Sequence, residues 1–125
     1  MHRRALLWFV AFGALATASC LSPTLPLPPP EPPELVHLKA DGGWDISGTC
    51  LAGSLVTIFN EQTGKGVVVE DRDNNGNYRI DIDGTACDLL WIAQDLGSES
   101  SARTSFVLQE RTSAGIVDPS ECIPR

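Results

Sequence analysis

From residue 35 onward, apolar and polar positions alternate in short runs, and clusters of Gly, Asn, Asp and Ser separate the runs. A period of two marks strands with one buried face, and its repetition between turn-forming residues predicts an all-β sandwich. Seven strands are expected: LVHLK (35–39), WDISGTC (44–50), SLVTIFN (54–60), GVVVED (66–71), NYRIDID (77–83), CDLLWIAQD (87–95) and RTSFVLQ (103–109). The connections DGG, LAG, EQTGK, RDNNG, GTA and LGSESSA are short and polar enough to be turns. In NYRIDID the alternation sends Tyr78, Ile80 and Ile82 to one face and Arg79, Asp81 and Asp83 to the other, so one side packs and one meets water. Trp91, between Leu90 and Ile92, is expected in the core. Trp44, which opens its strand, is the one ring left as a candidate for stacking on a sugar.

The chain ahead of this pattern is of another kind. His2, Arg3 and Arg4 precede the apolar run ALLWFVAFGALATA, Ala5 to Ala18, which falls short of the roughly 20 residues a membrane-spanning helix needs. A basic start, a short apolar run and small residues at its end describe a secretory signal, residues 1–19. TASC, Thr17 to Cys20, resembles the lipobox of bacterial lipoproteins, with Thr17 where that motif usually has an aliphatic residue. The resemblance implies a lipid on Cys20 and attachment to a membrane of the cell envelope. Leu21 lacks the acidic character that resembles an inner-membrane retention signal, which points to the outer membrane of a Gram-negative bacterium. An ordinary cleavage site releasing the chain is the alternative. The next segment, residues 20–34, holds seven of the nine prolines and is expected to form an extended spacer with no packed core.

Charge narrows the partners. Removing residues 1–19 takes away Arg3 and Arg4, leaving 7 basic against 16 acidic residues, a formal net charge of 7 − 16 = −9. There is no basic stripe to neutralise phosphates, so nucleic acid is not an expected partner. Three cysteines, Cys50, Cys87 and Cys122, remain in an oxidising compartment once Cys20 is lipidated, and none has the close spacing of a zinc or redox pair. One disulfide and one thiol is the simplest accounting.

DRDNNGNY, residues 71–78, has two readings. Asp71, Asp73, Asn75 and Gly76 match the first half of an EF-hand-type calcium loop, whose odd positions supply oxygens and whose glycine makes the turn. Position twelve of that pattern is Ile82, so the closing carboxylate is missing. The same residues also suit a hairpin turn, with Asn and Gly in left-handed backbone and Asp capping it. The turn is the favoured reading, and calcium the one cofactor considered.

ISGTCLAGSLVTIFN, DRDNNGNYRIDI, WIAQDLGSESS and TSFVL together resemble bacterial immunoglobulin-like repeats. The matching positions are Gly48, Thr49, Gly53, Val56, Ile58, Asp71, Asp73, Gly76, Tyr78, Asp95, Gly97 and Ser100, while Tyr78 stands where tryptophan is common and LGSES lacks the usual Gly-Asn pair. The resemblance implies a seven-stranded immunoglobulin-like sandwich over residues 35–110 and a tail over 111–125. With strands running up and down as in that fold, Cys50 and Cys87 fall at opposite poles, a strand length of about 23 Å apart. The favoured bridge is therefore Cys87 with Cys122, and Cys50 with Cys122 stays open.

No catalytic constellation emerges. His37 is the sole histidine after processing, has no evident partner in sequence, and no nucleophile elbow, phosphate loop or paired metal motif occurs. The expectation is a membrane-tethered module that binds, spaces or supports, with an unidentified protein or glycan partner. A calcium- or carbohydrate-dependent adhesion module is the alternative, and a hydrolase a remote one.

Overall fold

The structure, a computed structural model, describes residues 25–123; the expected signal segment and Cys20 lie outside the described residues. Among the described residues there is no helix, and none long and apolar enough to cross a membrane. Ten strands form: β1 (Leu35–Leu38), β2 (Trp44–Thr49), β3 (Leu55–Asn60), β4 (Lys65–Glu70), β5 (Asn77–Ile82), β6 (Leu89–Leu96), β7 (Glu99–Ser100), β8 (Thr104–Val107), β9 (Arg111–Thr112) and β10 (Gly115–Ile116). Two antiparallel sheets of five strands result. The first has the order β10-β9-β1-β2-β5; in the second, β4-β3-β6-β7, β8 also pairs with β6.

The expected alternation is what builds the layers. Ile46 from β2, Ile80 and Ile82 from β5, Val56 and Ile58 from β3, Leu90 and Ile92 from β6, and Phe106 and Leu108 from β8 and its end share one buried cluster with Val36, Trp44 and Tyr78. Each fully buried aliphatic side chain contributes roughly 1.5–3 kcal/mol of burial free energy, so this sandwich-like core is the main source of stability. All seven expected strands occur, with ends shifted by a residue or a few. The count of seven is too low, because β7 forms within LGSESSA and β9 and β10 within the tail. The domain therefore runs past residue 110: β9 pairs with β1 through Val36 and Arg111, and β10 pairs with β9.

The proline-rich segment does not stand free over its described part. Leu27 forms a parallel bridge with Ser101, Pro30 and Pro33 are buried, and the Glu34 N–H donates to the Ser47 carbonyl at 3.0 Å. Two side chains hold it there: the Gln94 Nε2 donates to the Pro28 carbonyl at 2.8 Å and the Thr104 Oγ1 to the Pro30 carbonyl at 2.6 Å. Prolines lack N–H groups but keep their carbonyls, so such a segment lies against a sheet edge by accepting hydrogen bonds.

One pole is fixed by Asn60, buried at the end of β3. Its Oδ1 accepts the Gln62 and Thr63 N–H groups at 2.8 and 3.2 Å, and its Nδ2 donates to Asp88 Oδ2 at 2.9 Å. At this pole Cys87 and Cys122 form the disulfide, with Cα atoms 5.3 Å apart. Cys50, at the other pole beside Gly76, is a free, half-buried thiol.

Candidate functional site

The DRDNNGNY loop resolves into a turn built around one carboxylate. Asp71 is only 6% exposed and its Oδ2 accepts the Gly76 N–H at 2.8 Å and the Gly53 N–H at 3.1 Å, while Oδ1 accepts the Asn75 N–H at 3.3 Å. The Gly53 and Gly76 N–H groups lead in holding its carboxyl below the usual carboxylate range. Asn74 and Gly76 both have left-handed backbone, at φ 52° and 74°, which only Gly and Asn adopt at little cost. The carboxylate thus ties the 71–76 turn to the Leu51–Ser54 turn beside it. Asp73 and Asn75 are exposed, and Asn75 Oδ1 accepts the Asn77 N–H at 3.0 Å. Among the described residues no group of three or more His, Cys, Asp or Glu side chains is placed to hold a metal ion. Of the three candidate calcium ligands, Asp71 faces backbone N–H groups of its own loop and of the Leu51–Ser54 turn, while Asp73 and Asn75 are exposed.

The tryptophans exchange roles. Trp44 is 2% exposed and its Nε1 donates to the Gly84 carbonyl at 3.0 Å, so the candidate sugar platform is core and cannot stack on anything outside. Trp91 is the outward one. In β6 the buried positions are Leu90, Ile92 and Gln94, and strand parity turns Trp91 to the opposite face. There it stands between two neighbours: Phe59 of β3, its cross-strand partner, stacks with centroids 5.4 Å apart and planes 26° apart, and the Arg103 guanidinium lies 4.1 Å from the indole centroid. Cation–π and aromatic pairing of this kind is favourable by about 0.5–1.5 kcal/mol per contact.

This row belongs to a larger apolar field on the outer face of the second sheet. Val107 lies opposite Leu89, Trp91 opposite Phe59, Thr57 opposite Val68 on one side and Ala93 on the other, and Leu55 follows along β3. Val68 is 60% exposed, and Leu55 and Leu89 are exposed too. The outer face of the first sheet is the contrast. It carries an Arg79–Asp45 pair with contacts at 2.9 and 2.6 Å, a Lys39–Asp81 pair at 3.2 Å, and His37 with its Nδ1 3.2 Å from Glu110 Oε2. Glu110 also accepts the Leu38 N–H at 2.7 Å, so His37 has the partner that sequence alone left unseen. An antiparallel sheet that meets water ordinarily shows polar residues there, as the first sheet does; on the second, Thr57, Glu70, Asp95 and Ser105 share the face with the apolar residues.

The chemistry this face offers is that of association. Trp91 is stacked by Phe59, its indole N–H makes no hydrogen bond among the described residues, and the Arg103 guanidinium lies over its ring. Sequence reasoning missed Phe59 and Arg103, and parity was the signal for finding them: the phase of Leu90, Ile92 and Gln94 already assigns Trp91 to the outside. No protein-family model, curated protein or solved structure matches the chain.

Proposed function

We propose that the protein is a lipid-anchored, extracytoplasmic module of the bacterial cell envelope that binds a protein partner through the outer face of its second sheet. One observation carries the binding reading: Phe59, Leu89, Trp91 and Val107 lie together on one outer face with Arg103 over the indole, and exposed Leu55 and Val68 lie on the same face across Thr57. Aromatic residues and arginine are enriched at protein interfaces, and a chain with a formal charge of −9 after processing suits a partner whose apolar surface is ringed by basic groups. A glycan is less well served, since face-on stacking needs an open ring, whereas Trp44 and Tyr78 are buried and Trp91 is already stacked by Phe59 and Arg103.

The anchor and location rest on the basic start, the short apolar run and the small residues before Cys20. The finer assignment to an immunoglobulin-like sandwich is supported by the turn residues Gly53, Asp71 and Gly76 and by the two antiparallel five-stranded sheets. The test is photo-crosslinking in the producing cell. A photoreactive residue at Leu89 should yield discrete adducts with another protein, and one at Asp81, on the charged face, should yield none. Cys20→Ala should move the chain from the membrane fraction to the soluble one. Equal crosslinking from both faces would remove the docking face from the reading, and a Cys20→Ala chain still held by membranes would remove the anchor.

A further inference from the structure

Sheet edges expose unpaired backbone groups, and proteins ordinarily guard them with charge, proline, bulges, shortness or a covering segment. Three of the four edges here are guarded. The edge beside β7 and β8 is covered by Leu27 to Pro30, β10 is two residues long, and β5 alternates core residues with Arg79 and Asp81. The fourth is β4. It reads Lys-Gly-Val-Val-Val-Glu, pairs with β3 without a bulge from Leu55 opposite Glu70 to Asn60 opposite Lys65, and ends its sheet. Outside that ladder no backbone hydrogen bond among the described residues involves Gly66 to Val69. Alternate residues of an edge strand direct N–H and C=O groups away from the neighbour, so a ready ladder faces outward.

We propose that β4 is a self-association edge, pairing antiparallel with β4 of a second copy to join the two second sheets into one continuous sheet. The strand is self-complementary for this. A twofold axis normal to the sheet requires opposed residues to share a face, which permits Val68 on the axis with Val67 opposite Val69, and Gly66 opposite Glu70, of the second copy. Centring on Val67 instead would set Lys65 against Val69 and lose the valine pairs. Val67 and Val69, only partly covered by the core, close against their counterparts on the inner side. On the outer side the two apolar fields merge through Val68.

The experiment is oxidative crosslinking of the full chain bearing Val68→Cys, with the unsubstituted chain as control for Cys20 and Cys50. A second variant, Ser105→Cys, places a thiol on the same face but on β8, away from the edge. Val68→Cys should convert to a covalent dimer while Ser105→Cys and the parent stay monomeric. Sedimentation of the parent at rising concentration should move toward the dimer mass, and Val68→Lys, which sets two cations on the axis at an exposed position, should abolish that shift while the circular dichroism spectrum is retained. Crosslinking at Ser105→Cys equal to that at Val68→Cys would show contact through the face and overturn edge pairing. So would a parent that sediments as a monomer throughout with no Val68→Cys dimer.

Discussion

Breaking the Cys87–Cys122 bridge should destabilise the domain heavily, and its size follows from where the two cysteines lie in the chain. They are 35 residues apart, and the loop they close contains β6, β7, β8, β9 and β10. The loop-entropy relation for a closed loop of that length gives a change of about −13 cal/mol/K, or about 4 kcal/mol at 25 °C, lost when the link is removed. For a domain of this size 1 kcal/mol moves the melting temperature by roughly 4–8 °C, so a fall of roughly 20 °C is expected. The assay is thermal unfolding by circular dichroism of the Cys122→Ser variant. Cys122 is the one to replace, because Cys87 has left-handed backbone at φ 75° and a substitution there would mix a backbone effect with the loss of the link. Reduction of the unsubstituted protein should give a matching fall. A loss under about 5 °C in both would refute the reasoning, because it would mean that the closed loop adds little constraint to the unfolded chain.

Other consequences are as direct. Trp44→Ala should cost about 3–5 kcal/mol and leave the domain largely unfolded in a denaturant titration, whereas an exposed ligand-stacking ring would be nearly neutral. Asp71 has a folded-state carboxyl lowered by the Gly53 and Gly76 N–H groups, so its contribution is present above the ordinary carboxylate pKa of about 3.9 and is lost as pH falls through the lowered folded value. Melting temperature against pH should therefore fall less on acidification below about pH 4 for Asp71→Ala than for the parent, and parallel curves would contradict the turn-staple role. Thr104→Val keeps the side chain's shape but strands the Pro30 carbonyl, which should cost about 1–2 kcal/mol and speed proteolysis near Leu27; unchanged cleavage would show that the segment is held by other contacts.

Much of the layer structure was legible because period two is a local signal: the burial of Tyr78, Ile80 and Ile82 follows from their spacing, and so do the strands that carry them. The features that sequence reading missed are those set by long-range pairing. The Arg111–Thr112 strand is too short to announce itself and forms because Val36 lies opposite it. The proline-rich segment has a composition that suits a spacer, and its docking depends on Gln94 and Thr104, 66 and 74 residues away in the chain. Trp91 is instructive in another way. Its neighbours in sequence are apolar, which suggests burial, but apolar residues on both sides of a strand mean that each face carries some, and Trp91 takes the outer one. The Asp71 turn was readable as a turn from Asn and Gly, while the three N–H groups that consume its carboxylate come partly from a second turn eighteen residues earlier.

The bridge between Leu27 and Ser101 sets a height. With the lipid proposed at Cys20, six residues, 21–26, separate it from this bridge, and six residues span at most about 20 Å. A spacer running freely to Glu34 would have let the domain roam more than twice as far. Docked as it is, the sandwich would ride close to the bilayer with the β6–β7 hairpin nearest the lipid, and a partner that meets Trp91 would have to approach within that thin layer of the envelope.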